Sequence, residues 1–190
     1  MRHLLLFFVL TSVAVAQRSS LFEERIESGG YGGPMIQVGT INGTSAVFVG
    51  GKGGWIINHT FVLGGAGWGL ANNIPAKTVG PNGETEMMFG YGGLLLEYWH
   101  NADEVLHWSA SLLIGGGGLE YKTQRGSTPY AGSSFFVVEP SVGVNMNVTQ
   151  HFTVGGGVSY RALSNFSSTV ADSKDLEGAS VFLVAKFGAF

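Results

Sequence analysis

Apolar and polar residues alternate one by one over long stretches of this chain. From 134 to 147, Phe136, Val138, Val142, Val144 and Met146 fall on one face, and Glu139, Ser141, Gly143, Asn145 and Asn147 on the other. From 150 to 163, Phe152, Val154, Val158 and Tyr160 oppose His151, Thr153, Ser159 and Arg161. From 104 to 120, Leu106, Trp108, Ala110, Leu112 and Ile114 oppose His107, Ser109 and Ser111. A period of two marks a strand whose two faces meet different surroundings. With the turn residues between such runs, the pattern predicts eight strands at 34–41, 44–57, 60–71, 86–100, 104–120, 134–147, 150–163 and 178–190.

The predicted connections alternate in length. Asn58-His59, Asn101–Asp103 and Val148-Thr149 are tight, whereas 72–85, 121–133 and 164–177 are long and polar. Asn42-Gly43 alone is short where the alternation asks for a long loop, and Asn-Gly is a strong hairpin signal. Short turns at one end and long loops at the other are the habit of transmembrane β-barrels. The predicted fold is therefore all-β, a closed eight-stranded antiparallel up-and-down barrel over residues 34–190.

Composition narrows the choice. Charged residues are 12 % of the chain, against about 25 % in soluble domains. No stretch after the first residues approaches the roughly 18 apolar residues of a helical span. A chain poor in charge, with apolar strand faces and no helical span, has one other way to cross lipid with its backbone paired, a closed barrel. The 31 glycines recur inside the predicted strands, as in Gly50–Gly54 and Gly115–Gly118. Small inward residues leave room in a narrow, strongly coiled barrel. The net charge of −3 gives no sign of a nucleic-acid partner.

The first residues read as an export signal. Met1-Arg2-His3 is basic, Leu4–Leu10 is apolar, and Ala14-Val15-Ala16 is a small-x-small cleavage site ahead of Gln17. The domain reading is thus a signal peptide at 1–16, a periplasmic lead-in at 17–33 and the barrel. The chain has no cysteine, so disulfide staples play no part.

Alternation alone does not say which face is inside. The polar faces hold mostly Gly, Ser, Thr and Asn, where water-exposed strands usually carry Lys and Glu. The apolar faces carry Trp55, Phe61, Tyr98, Trp108 and Phe152 at one height near the tight turns, as in an interfacial aromatic girdle. The apolar face is accordingly expected to point outward into lipid. A secreted soluble barrel with an apolar ligand inside is the alternative. On the inward face, Glu139 is expected to pair with Arg161, and Glu97 with His107, across their hairpins, with Lys52 and Lys186 also pointing in. Eight strands enclose a space that side chains fill, so these residues are expected to form a polar plug rather than a pore.

The strand pattern and the ending Ala185–Phe190 resemble the small eight-stranded outer-membrane barrels of Gram-negative bacteria, the OmpA-type and opacity-type group, and look most like members from Bacteroidetes-like bacteria. The resemblance implies a non-enzymatic outer-membrane protein in contact with lipid and lipopolysaccharide. It also implies handling by periplasmic chaperones and by a barrel-insertion machinery that reads the last strand, with Phe190 as the terminal aromatic. In that group an aromatic often stands at alternate positions, whereas here Phe187 is three before the last residue. The three long loops would be the surface-contact elements. Outer-membrane lipid A deacylases are also small barrels with a His-x-Ser pair, and His107-Trp108-Ser109 with Glu120 is the one similar set here. It sits near a short turn, away from the outer leaflet where those enzymes act. The five histidines show no metal-binding spacing, no cofactor motif occurs, and the Asn-x-Ser/Thr triplets at Asn42, Asn58, Asn147 and Asn165 read as turn residues.

Overall fold

A computed structural model describes residues 27–74, 85–123, 131–164 and 173–190. Eight strands are present: β1 (Ser28–Ile41), β2 (Thr44–Ile57), β3 (Phe61–Leu70), β4 (Thr85–His100), β5 (Leu106–Thr123), β6 (Ala131–Thr149), β7 (Phe152–Ser164) and β8 (Gly178–Ala189). Each pairs antiparallel with its sequence neighbour, and β1 pairs with β8, so the sheet closes in the order β1 to β8. A single helical turn, α1 (Ser173–Leu176), precedes β8. No helix among the described residues is long and apolar enough to cross a membrane.

Closure follows from local chemistry. Asn42 and Gly43 both adopt positive φ, at 53° and 73°, the backbone that a two-residue hairpin turn requires. Asn58 and His59 do the same between β2 and β3. Pro34 and Pro140, which lack an N–H, stand in strands where the ladder to one neighbour is interrupted. The strands β5 and β6 run to 18 and 19 residues, well beyond the roughly 9–11 that cross hydrocarbon. They must project past the bilayer on the side of the long connections.

Several boundaries differ from the sequence reading. β1 begins at Ser28 rather than at 34, so Ser28–Gly33 belongs to the wall and not to a lead-in. Gly29 and Gly33 stand where strands approach closely: a Cβ on Gly33 would lie 1.7 Å from the Ala185 carbonyl oxygen. The third tight turn is Gln150-His151 rather than Val148-Thr149, because β6 runs on to Thr149 through an irregular register between Asn147 and Thr149. Asn147, read both as the end of this strand and as a turn residue, lies within the strand. Its amide donates to the carbonyls of Ala102 and Glu104 at 2.8 and 2.9 Å and fastens the neighbouring turn to β6. The long loop expected at 121–133 is shortened from both sides as β5 and β6 lengthen, the other two change by a residue at most, and most residues of all three lie outside the described ones.

The two sides of the wall differ: the outside is apolar, whereas the inside carries charged side chains between apolar clusters. Ile36, Val49, Leu94, Trp108, Val142, Val158, Val181 and Leu183 are exposed on the outside. Gln37, Lys52, Glu97, Glu139, Arg161 and Lys186 are buried inside. Apolar outside and charged inside is the inverse of a water-soluble barrel. A continuous apolar surface of this extent has no stable place in water, so the wall faces hydrocarbon.

Candidate functional site: the filled lumen and the aromatic belt

The lumen is built in tiers. At the end that carries the short turns, Tyr31, Ile56, Val62 and Trp99 form a small apolar floor, with Phe190 packed against Tyr31 and Trp99 at ring-centroid distances of 6.4 and 6.0 Å. Below this floor a cleft of about 530 Å³ opens to solvent between the turns.

Above the floor sits the first polar tier, centred on Glu97. Its Oε1 accepts from Lys52 Nζ at 3.1 Å and from Lys186 Nζ at 3.0 Å, and its Oε2 accepts from the Tyr31 hydroxyl. One carboxylate thus binds cations from β2 and β8, two strands that do not adjoin β4. Lys186 Nζ also lies over the Trp99 ring at 4.5 Å, where the ring's negative face attracts the cation. Buried charges persist only when paired and hydrogen-bonded, and this tier supplies both conditions.

A void of about 30 Å³ separates this tier from the next, lined in part by Lys52, Glu139, Ser111, Ser141 and Ser159. Glu139 forms the second tier. It accepts from the Gln37 amide at 3.1 Å and from the Tyr91 hydroxyl at 2.6 Å, while the same amide donates to Ser159 at 3.3 Å. Arg161 lies next to this tier, its guanidinium 4.7 Å from the Phe48 ring and 5.3 Å from Phe89. Its Nε donates to the Leu176 carbonyl at 2.8 Å, which ties α1 into the mouth. Beyond it the lumen is apolar: Phe48, Phe89 and Phe135 pack together, and Ile41, Ile74 and Leu176 close the end with the long loops.

The expected pairings are corrected in two places. Glu139 and Arg161 are set opposite each other by the flanking pairs Val138 with Ala162 and Ser141 with Ser159. Yet Glu139 bonds Gln37 and Tyr91, and Arg161 turns to Leu176 and the aromatic faces. Glu97 does not meet His107 either. The register sets Glu97 against Ser111, because the connection after His100 is longer than the tight turn expected. His107 Nδ1 instead donates to the Glu104 carbonyl at 3.3 Å, and its ring packs on Trp99. Lys52 and Lys186 point inward, and both join Glu97. The sequence reading did not include Tyr31, Gln37 or Tyr91. Their place on the inward face signalled Gln37 and Tyr91, whereas Tyr31 fell in the expected lead-in.

The set His107, Ser109 and Glu120 does not assemble. Ser109 accepts from the Asn145 amide at 2.9 Å, and Glu120 is exposed on the opposite face of β5 near its other end. Glu120 lies thirteen residue steps along the strand from His107, which is about 43 Å at the usual rise. Among the described residues, no group of three or more metal-ligating side chains comes together.

Outside, the aromatic residues form a belt at the short-turn end. Phe61 meets Tyr98 at 5.5 Å, Tyr98 meets Trp108 at 5.7 Å, and Phe152 stacks on Phe187 at 4.8 Å. Trp55 is exposed on the same wall. Phe187 is the outward aromatic of β8. Phe190 lies past the end of the strand and turns to the lumen floor.

The closed eight-stranded topology occurs in solved structures of other proteins. Neisserial surface protein A superposes with a TM-score of 0.61 at 13 % identity, over 87 % of this chain and 99 % of that one. This is the fold of the small outer-membrane barrels. The attachment invasion locus protein Ail of Yersinia pestis, in complex with the heparin analogue sucrose octasulfate, matches with a TM-score of 0.52 at 13 % identity, over 87 % of this chain and 99 % of that one. The N-terminal barrel domain of Pseudomonas aeruginosa OprF matches with a TM-score of 0.53 at 10 % identity, over 86 % of this chain and 99 % of that domain. Neither a family model nor a curated relative matches the sequence.

Proposed function

We propose that this chain is a non-enzymatic integral barrel of a bacterial outer membrane, which serves envelope integrity or surface contact rather than transport. The observation that carries this reading is the wall, apolar outside and enclosing a lumen where Lys52 and Lys186 are both bound to Glu97. The lumen supports a closed state, because its tiers of side chains leave a void of only about 30 Å³ between them. Contact with other molecules then falls to the connections around 72–85, 121–133 and 164–177, at the end where β5 and β6 project. Lipid and lipopolysaccharide would surround the wall. Export would use residues 1–16, with cleavage between Ala16 and Gln17, and those residues lie outside the described ones. Recognition by chaperones and insertion machinery would fall to β8, whose Phe187 faces outward beside Phe152, together with Phe190.

Fractionation with a gel-mobility assay tests this reading. The protein should need detergent for extraction, run as a compact band in cold SDS and shift on boiling. Recovery from the periplasm without detergent, with no change in mobility, would favour a soluble barrel.

A further inference from the structure

We propose that the void between the two polar tiers is a water site, where trapped water bridges Lys52 to Glu139 and joins the tiers into one hydrogen-bonded network. The void measures about 30 Å³, and its wall includes Lys52, Ser111, Glu139, Ser141 and Ser159. A buried water needs roughly 10–15 Å³ and about two to four polar partners, so there is room for about two. The bonds these side chains already make leave capacity over. The Lys52 ammonium gives one hydrogen to Glu97 and has three to give. Ser111 and Ser141 bond each other at 2.6 Å. One of these hydroxyls donates to the other, which leaves one hydroxyl hydrogen. Ser159 Oγ accepts from Gln37 Nε2 at 3.3 Å and keeps its own hydrogen. Each Glu139 oxygen accepts one bond, from Gln37 or from Tyr91, whereas an ionised carboxylate offers about four acceptor sites. Surplus donors and a surplus acceptor thus border one enclosed space, and leaving them unmet there is costly.

Charge and size decide the occupant. A metal cation in the void would meet the Lys52 ammonium, and an anion would meet the Glu139 carboxylate. A neutral molecule that both donates and accepts suits both, and at this volume that molecule is water. Its presence changes how the barrel is held. The first tier ties β1, β2, β4 and β8 through Tyr31, Lys52, Glu97 and Lys186. The second ties β1, β4, β6 and β7 through Gln37, Tyr91, Glu139 and Ser159. Water between them, bonded also to the Ser111–Ser141 pair, brings in β5, so that every strand except β3 shares one network.

This site rests on the closed lumen of the proposed function, and separate variants test the two. Ala66 stands in the wall of the void and pairs with Lys52 across β2 and β3. Ala66→Val adds apolar bulk there and removes no polar group. In a dry void it would fill empty space and raise stability. In a water site it displaces a molecule whose bonds it cannot reproduce. Urea unfolding of the full protein in lipid vesicles should show the folding equilibrium constant lowered roughly tenfold, the scale of one buried polar group left unmet. In a Lys52→Met, Glu139→Gln background, where the charged groups at the void are gone, the same substitution should change it by less than about threefold. A rise in the parent protein overturns the site, and so does an equal loss in both backgrounds, which is the mark of overpacking. A crystal structure of the parent protein is the second measurement. An ordered water within about 3.2 Å of a Glu139 oxygen, bonded directly or through a second water to Lys52, is expected, and an empty void overturns the site. The chain has no cysteine, so Ser141→Cys reports access to the lumen. Its thiol should resist a water-soluble methanethiosulfonate in the folded protein. Rapid modification would show a lumen open to bulk water and overturn the closed reading itself.

Discussion

Glu97→Gln should cost the barrel roughly 3–5 kcal/mol of folding free energy, the scale seen when one partner of a buried ion pair is removed. Lys52 and Lys186 both depend on this carboxylate, at 3.1 and 3.0 Å, and both are buried. A glutamine keeps the shape and a carbonyl acceptor but leaves two cations with no counter-charge in a space from which water is largely shut out. The Tyr31 hydroxyl would keep an oxygen to bond, but a neutral one. Changing the whole tier to apolar side chains of similar length, with Lys52→Met, Glu97→Met and Lys186→Met, should recover much of the loss, because it removes the stranded charges together with their partner. Urea unfolding in lipid vesicles, followed by tryptophan fluorescence, measures both. A loss below about 1 kcal/mol for Glu97→Gln would place the tier in the range of a solvated surface pair and contradict a dry, filled lumen.

The second large effect is expected on the opposite side of the wall. Leu94 lies near the middle of β4 and is 50 % exposed. In a soluble protein, Leu94→Arg at such a surface position would be almost neutral, within about 0.5 kcal/mol. In a bilayer, arginine at mid-depth on the lipid face should destabilise the barrel by about 2–4 kcal/mol, falling to about 0–1 near the interface. Met88→Arg, on the same outward face of β4 but closer to the long-connection end, is the depth control. The two substitutions should therefore differ by about 2 kcal/mol or more, measured by the same unfolding assay. Equal, small effects would mean that this face meets water.

Much of this architecture could be read from the chain because a strand writes its two environments into alternate residues. In β5, β6 and β7 the apolar set from Leu106 to Tyr160 faces outward as the alternation implied, and Glu139 and Arg161 are buried inside. The turns at Asn42-Gly43 and Asn58-His59 were legible because positive φ favours those residue types. Ser28–Gly33 was not. Glycine has no side chain to alternate, and its reason for being there, contact with the Ala185 carbonyl, lies more than 150 residues away in sequence. Asn147 was read as a turn residue because asparagine favours tight turns, whereas its side chain bonds the backbone carbonyls of the neighbouring turn.

The polar site was legible only by half. Strand parity places Lys52, Glu97, Glu139, Arg161 and Lys186 inside. It does not say which of them meet. Counting back from a hairpin turn finds partners on adjacent strands, whereas Glu97 bonds lysines from β2 and β8 that reach it through the lumen. Aromatic rings compete for the same cations: Arg161 lies against Phe48 and Phe89 although Glu139 stands opposite on the next strand. Long side chains in a narrow enclosure choose partners by three-dimensional reach, which a linear pattern does not record.

The absence of cysteine makes a direct test of the wall simple. A single cysteine replacing Val142, which is 55 % exposed on β6, can carry a spin label in the reconstituted protein, and its collisions with oxygen and with a water-soluble nickel complex can be compared. Frequent collisions with oxygen and almost none with nickel are expected, as for a side chain immersed in hydrocarbon. Ready collision with nickel and little with oxygen would contradict a lipid-facing wall.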